Sequence, residues 1–311
     1  MHFVEFRAAV FQLFRTRRFE EALALIDRER ANHPGQIARI GNWRAILFAA
    51  LGQPDKGLVA LQEAVAGGAW YSTRIMEQDE TMKPIRELPE FQDLLAICGR
   101  RQAEAQATTK PELVVQFDAA APTPAPMVLA LHGNMACAAA SVYDWAPAVA
   151  QGCFTGLAQS SQIEGPDMYV WDDWEKAQAE VREHYRSLAE NPAVDRSRTV
   201  LGGFSMGGGT VARMALEGAL PVRGFLAVGP YIPDMEPLRA ALAGARERGI
   251  RGYILIGAED QICRDYAQGL FDLMRSHDVP VEVEVIPDLG HAYPPDFAER
   301  FARAMAFILQ P

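Results

Sequence analysis

Hydrophobic positions change their spacing once along this chain, near residue 105. Before it they recur every three or four places: Phe3, Phe6, Val10, Leu13 and Phe14, then Ala22, Leu25 and Ile26. That is the period of an amphipathic helix, and no strand-like alternation interrupts it. After Pro111, short apolar runs alternate with longer amphipathic stretches. The runs at 113–117, 127–131, 152–159, 199–204, 224–229, 252–257 and 281–286 predict strands. The stretches 175–191, 208–217, 236–248 and 263–277 predict helices. Strands apolar on both faces and separated by helices imply a mostly parallel sheet covered on both sides, an α/β architecture preceded by an all-α segment. Domain boundaries are expected at 1–105 and 106–311, with the polar, alanine-rich stretch 101–110 as the linker.

Composition narrows the classes of function. The 311 residues carry a net charge of −10, which argues against a nucleic-acid surface, and no cluster of basic residues interleaved with aromatics overrides it. No apolar run is long enough to span a bilayer. The start of the chain carries Glu5 and Arg7 and lacks the continuous apolar core of a secretion signal. Four cysteines, Cys98, Cys137, Cys153 and Cys263, form no C-x-x-C pair. They are expected to be reduced thiols in a cytoplasmic protein, with no metal site.

The chemistry gathers at predicted strand ends, where sites in parallel sheets lie. Gly203-Phe204-Ser205-Met206-Gly207 stands between the run 199–204 and the helix after it. A strand turning sharply into a helix exposes the serine hydroxyl, and side chains at 203 and 207 would clash there. Asp260 follows the run 252–257 in Gly257-Ala258-Glu259-Asp260, and His291 follows 281–286 in Leu289-Gly290-His291. A serine hydroxyl needs a neutral imidazole to take its proton, and the imidazole needs a carboxylate to hold its tautomer. Glu259 and Asp234 compete with Asp260 for the acid. Of the other histidines, His184 is expected at the surface of a helix and His277 in a polar helix-end turn.

The chain order serine, aspartate, histidine, one per successive strand end, resembles the serine esterases of the α/β-hydrolase superfamily across roughly 111–311. The resemblance implies carboxylic ester hydrolysis with no metal or organic cofactor. His132-Gly133-Asn134, at the end of the run 127–131, resembles the His-Gly turn of such hydrolases. It implies oxyanion donation by the backbone amides of Asn134 and Met206, with Met135 as the alternative to Asn134. Trp171 and Trp174, in Tyr169-Val170-Trp171-Asp172-Asp173-Trp174, and Tyr231 either wall an acyl pocket or anchor loops on the core.

Inside the helical part, Ala22, Ile26 and Glu29 align with Gly57, Leu61 and Ala64 at an offset of 35 residues. The spacing resembles the tetratricopeptide repeat over residues 3–69, with 70–98 as a capping unit of short helices; a plain helical bundle is the alternative. Such helices either shape access to the site or recruit a protein or peptide partner. Two rival functions remain at this stage. One is an amide or peptide hydrolase with the same triad, the other a non-catalytic interaction module.

Overall fold

The computed structural model describes residues 1–310. The chain divides into two compact units: Met1–Thr109 together with Ile163–Pro166, and the rest. Among the described residues no helix is long and apolar enough to cross a membrane.

The first unit is helical. Helices α1 (Phe3–Arg15) and α2 (Phe19–Glu29) are followed by α3 (Ile37–Ala50) and α4 (Pro54–Ala66). The starts of α1 and α3 lie 34 residues apart (37 − 3) and those of α2 and α4 lie 35 apart (54 − 19), so one helix pair follows another at nearly constant spacing. Phe6, Val10, Ala22, Ile26, Trp43 and Leu47 make one core between α1, α2 and α3. Gly41 lets α3 and α4 approach closely, since a Cβ there would come within 2.6 Å of the Ala64 Cβ. Short helices α5 (Thr73–Gln78) and α6 (Lys83–Arg86) lead into the long α7 (Phe91–Thr108).

Helix α7 corrects the expected linker. Residues 101–108 continue the helix, because arginine, glutamine, glutamate and alanine are all strong helix formers and Phe91, Leu94 and Cys98 already anchor its buried side. Arg101 is also tied down: its Nη1 donates to the Val65 and Ala69 carbonyls, each at 2.6 Å, at and just beyond the end of α4. The segment Ile163–Pro166 completes this unit. There the Ser72 N–H donates to the Glu164 carbonyl at 2.9 Å, and Arg74 pairs with the Glu164 carboxylate at 3.3 Å.

The second unit is a seven-stranded sheet. Its strands are β1 (Glu112–Gln116), β2 (Ala125–Leu131), β3 (Phe154–Gln159), β4 (Val194–Phe204), β5 (Gly224–Val228), β6 (Arg251–Gly257) and β7 (Val281–Ile286). Their order is β1-β3-β2-β4-β5-β6-β7, parallel throughout except β1 against β3. Helices α9 (Trp174–Ala189), α10 (Met206–Glu217), α11 (Glu236–Glu247) and α12 (Arg264–Ser276) bury one face. Helices α8 (Ala138–Ala150) and α13 (Phe297–Ile308) bury the other. Phe225 and Ala227 of β5 point into the first core, Leu226 and Val228 into the second, which is why this strand is apolar without a break.

Helices α8 and α13 lie outside the sequence expectations. The first is apolar nearly all round and carries Pro147 in its interior, so it shows no amphipathic period. The second does carry one, with Phe297, Phe301, Ala304 and Ile308 all buried.

Candidate active site

Strand register brings the carboxyl ends together. Leu131 pairs with Gly203, Phe204 with Val228, Val228 with Leu255, and Gly257 with Ile286. The chain leaves β2 toward β3 and later returns to β4 on the other side of β2, so the crevice between the ends of β2 and β4 is a topological switch point. Ser205 stands there at φ 54° and ψ −119°, a conformation costing a non-glycine residue about 1–3 kcal/mol. Three backbone bonds hold it. The Ser205 N–H donates to the Val228 carbonyl at 2.9 Å, and its own carbonyl accepts from Gly209 at 3.0 Å and Tyr231 at 2.9 Å. A Cβ at Gly203 would strike the Gly207 carbonyl, and one at Gly207 would strike the His132 carbonyl oxygen. Only glycine permits the turn.

The Ser205 hydroxyl meets His291. Its Oγ lies 2.9 Å from Nε2, while Nδ1 lies 2.7 Å from Asp260 Oδ2. A carboxylate only accepts, so the ring proton belongs on Nδ1 and Nε2 is left to take the serine proton. Asp260 is 2% exposed, and its Oδ1 accepts from the Ile262 and Cys263 amides at 3.0 and 2.9 Å. Burial works to raise this carboxyl, but the bonds from His291, Cys263 and Ile262 outweigh it and hold the group below its ordinary value. Glu259 is exposed. Asp234 is exposed too and accepts from the Glu236 amide at 3.0 Å, so of the three carboxylates it is Asp260 that faces the ring.

Phe204 packs on the His291 ring at 4.7 Å and stacks on Tyr293 at 4.8 Å, whose hydroxyl accepts from Trp145 Nε1 at 3.0 Å. No sequence pattern marks these supports, although Phe204 adjoins Ser205 and Tyr293 lies two residues past His291. His277 bonds the Leu273 carbonyl through Nδ1 at 2.9 Å, as a helix-end residue does. His184 corrects its expectation: it is 6% exposed rather than at the surface, because α9 lays that side on the end of β3.

The turn after β2 abuts the serine. A Cβ at Gly133 would lie 3.5 Å from the Ser205 Cβ. His132 is 1% exposed, its Nε2 accepting from the Ser160 N–H at 3.3 Å and its Nδ1 facing the Gly133 carbonyl at 2.8 Å. Burial pushes its pKa down to about 4 against that second bond, so the ring is neutral. Asn134 is exposed at the tip of the turn, and Met135 follows with φ 56°. Met206 is the first residue of α10, where the amide has no carbonyl a turn behind it.

Comparison with known proteins bears on the fold. Residues 3–106 match the family model described as A/B hydrolase-like, N-terminal domain. No curated protein sequence matches the chain. An uncharacterized protein from Bacillus cereus is similar at 26% identity over 99% of both chains, with a TM-score of 0.57. The esterase PE8 is similar over 64% of this chain and 100% of its own, at 16% identity and a TM-score of 0.55. A Bacillus cereus carboxylesterase is similar over 67% of this chain and 99% of its own, at 17% identity and a TM-score of 0.50. The chain has the α/β-hydrolase fold.

Around Ser205 the three aromatic candidates part company. Trp171 is 4% exposed, its ring N–H donates to the His132 carbonyl at 3.0 Å, and its backbone N–H reaches Met206 Sδ at 3.2 Å. These are the contacts of a loop anchor. Trp174 lies under the Arg213 guanidinium, 3.9 Å from the ring centroid, and Arg213 stands eight residues past Ser205 along α10, a rise of about 12 Å. Tyr231 stays beside the serine, its amide on the Ser205 carbonyl and its ring edge-on to Tyr266 at 5.2 Å. Cys263 also lies close, its thiol within 4.8 Å of ligand atoms of Asp260 and His291. Burial pushes that thiol up to about 12, and the other two groups are already bonded to each other, a poor donor set for a metal.

Proposed function

We propose that this protein is a serine hydrolase of carboxylic esters, of class EC 3.1.1, working through an acyl-enzyme on Ser205. The observation that carries the reading is the unbroken chain from Asp260 through His291 to the Ser205 hydroxyl, at 2.7 and 2.9 Å. Ser205 Oγ adds to the ester carbonyl carbon as its proton passes to His291 Nε2. The carbonyl oxygen becomes an oxyanion facing the Met206 and Asn134 amides. Collapse breaks the bond to the alcohol oxygen, which leaves with the proton from His291. Water then repeats the cycle on the acyl-enzyme and frees the acid. Asp260 stays ionised throughout, holding the imidazole and stabilising its charged form.

Tyr231 is the aromatic wall nearest the acyl group, and no cofactor enters the scheme. The four cysteines are free thiols, which fits a reducing, cytoplasmic setting. Residues 1–105 are proposed as a tetratricopeptide-like domain that offers a surface to a protein or peptide partner, with 106–311 as the catalytic domain. Fluorophosphonate treatment followed by peptide mass spectrometry tests the reading, alongside a panel of short and long p-nitrophenyl esters and aminoacyl anilides. The expected result is one adduct, on Ser205, and turnover of esters ahead of anilides. Ester turnover without the adduct, or neither, overturns it.

A further inference from the structure

Helix α9 buries two polar side chains one turn apart, Glu180 at 7% exposure and His184 at 6%. Both meet the turn that ends β3. His184 bonds the Gln159 backbone, and Glu180 accepts twice from Ser161, at Oε1 from the hydroxyl at 2.5 Å and at Oε2 from the N–H at 3.2 Å. A buried carboxylate costs several kcal/mol of lost hydration, which hydrogen bonds have to replace. An apolar residue would cover the same strand end without that penalty. What the carboxylate adds is a fixed path for residues 160–162.

That path leads to the oxyanion turn. The Ser160 N–H occupies His132 Nε2, which leaves the ring proton on Nδ1 and directs it to the Gly133 carbonyl. The Ser160 hydroxyl accepts from the Gln162 N–H at 3.0 Å. The Gln162 side chain in turn brackets Asp173, accepting from its N–H at 2.7 Å and donating to its carbonyl at 3.2 Å. Trp171, between these two feet, bonds the His132 carbonyl and the Met206 sulfur. The network therefore reaches both donors of the proposed mechanism: His132-Gly133 directly precede Asn134, and Met206 is the other donor.

We infer that Glu180 is a positioning residue for ester hydrolysis, acting through Ser161, Ser160 and His132 to fix the turn that aims the Asn134 amide. The inference rests on the reading of Ser205 as the acylated serine. It assigns the carboxylate no contact with substrate and no proton to move. Its effect falls on the oxyanion that forms during reaction, not on the bound ester.

The test compares wild type, Glu180→Ala, Glu180→Gln and Ser161→Ala as full-length proteins. Each is measured for kcat and KM on p-nitrophenyl acetate, for Ki of a trifluoromethyl ketone that forms a tetrahedral adduct, and for Tm. Glu180→Ala is expected to lower kcat by about 10- to 100-fold with KM changed less than about threefold, since small displacements of a transition-state contact cost this much. The ketone Ki should rise by the same factor. Glu180→Gln should recover most of the loss, because its carbonyl can accept from the Ser161 N–H while its amide donates to the hydroxyl. A folded Glu180→Ala protein with lowered Tm but unchanged kcat and ketone Ki overturns the inference. If that variant does not fold, Ser161→Ala decides, with a several-fold loss of kcat expected and an unchanged kcat overturning it. Wild-type fluorophosphonate labelling separates the two failures. An unlabelled, inactive wild type ends both readings, whereas a labelled, active wild type with indifferent variants ends only this one.

Discussion

The loops after β4, β6 and β7 carry Ser205, Asp260 and His291, whereas those after β2 and β3 carry His132 and residues 160–162. On the first side the proposed reacting atoms belong to side chains, joined end to end by two short bonds. On the second side the proposed donors are backbone amides, and buried side chains only hold them. Each side has one histidine, and the two are used oppositely. His291 is partly exposed and bonded so that one ring nitrogen stays open to a proton, while His132 is buried with both nitrogens occupied. In the proposed reaction one side should tolerate no chemical change, and the other should tolerate any change that preserves its shape.

The largest expected effect lies on the side-chain side. Ser205→Ala should lower ester turnover on the order of 10⁴- to 10⁶-fold with Tm within about 2 °C, because in the proposed reaction the hydroxyl is the attacking group and it contributes little to the core. Residual activity above about 1% would return the motif to an incidental turn. Asp260→Asn should cost about 10⁴-fold in kcat by favouring the wrong tautomer of His291, and Glu259→Gln should stay within about twofold. Reversal of that pair would move the acid to Glu259.

The second side should answer to pH through stability. The unfolded His132 binds its proton near 6.5, and the folded one only near 4. Protons therefore favour the unfolded chain between those values: the contribution is constant above pH 6.5, shrinks as pH falls toward 4, and is flat below. Its full size is at most about 3 kcal/mol. The carboxyl of Asp260, held below 3.8, loses its contribution only at still lower pH. Urea unfolding from pH 7.5 to 4.5 should show the decline in wild type and a flatter profile in His132→Asn. Identical profiles would mean that the ring is not held neutral.

The smallest effects concern substrate preference. Tyr231→Ala should change the ratio of kcat/KM for long against short acyl esters by about 3- to 10-fold, the range a few apolar contacts supply. Trp174→Ala should leave that ratio within about twofold and cost instead about 1 kcal/mol of stability from its lost stack with Arg213. A selectivity change at Trp174 larger than that at Tyr231 would put the acyl group on the other flank of the site.

The parts of the site visible in the sequence are those that depend on residue type. Ser205, Asp260 and His291 are the residues such chemistry needs, and each follows an apolar run that forms a strand. Backbone donors leave no such signature, so Asn134 and Met206 came only through a resemblance. Burial was the other blind spot. Trp171 and His184 sit in polar surroundings in the chain, and only the partner surface beneath each decides that it is covered. Residues 101–108 suit an exposed helix as well as a tether, and the choice depended on the carbonyls of Val65 and Ala69, which Arg101 reaches across 36 and 32 residues. The parallel sheet was readable because its central strands are apolar on both sides; α8 was not, for the same reason, since a helix apolar nearly all round has no face to detect.

The membership of Ile163–Pro166 in the helical unit sets an order of events during synthesis. A nascent chain ordinarily folds its first domain before the next has been translated. Here the first 109 residues emerge without the carbonyl that the Ser72 amide bonds and without the carboxylate that Arg74 pairs with. Both arrive only after β3 has left the ribosome. The helices must therefore wait, incomplete, while the first three strands are made, and a gene cut at the apparent boundary would release a fragment that never receives its last piece.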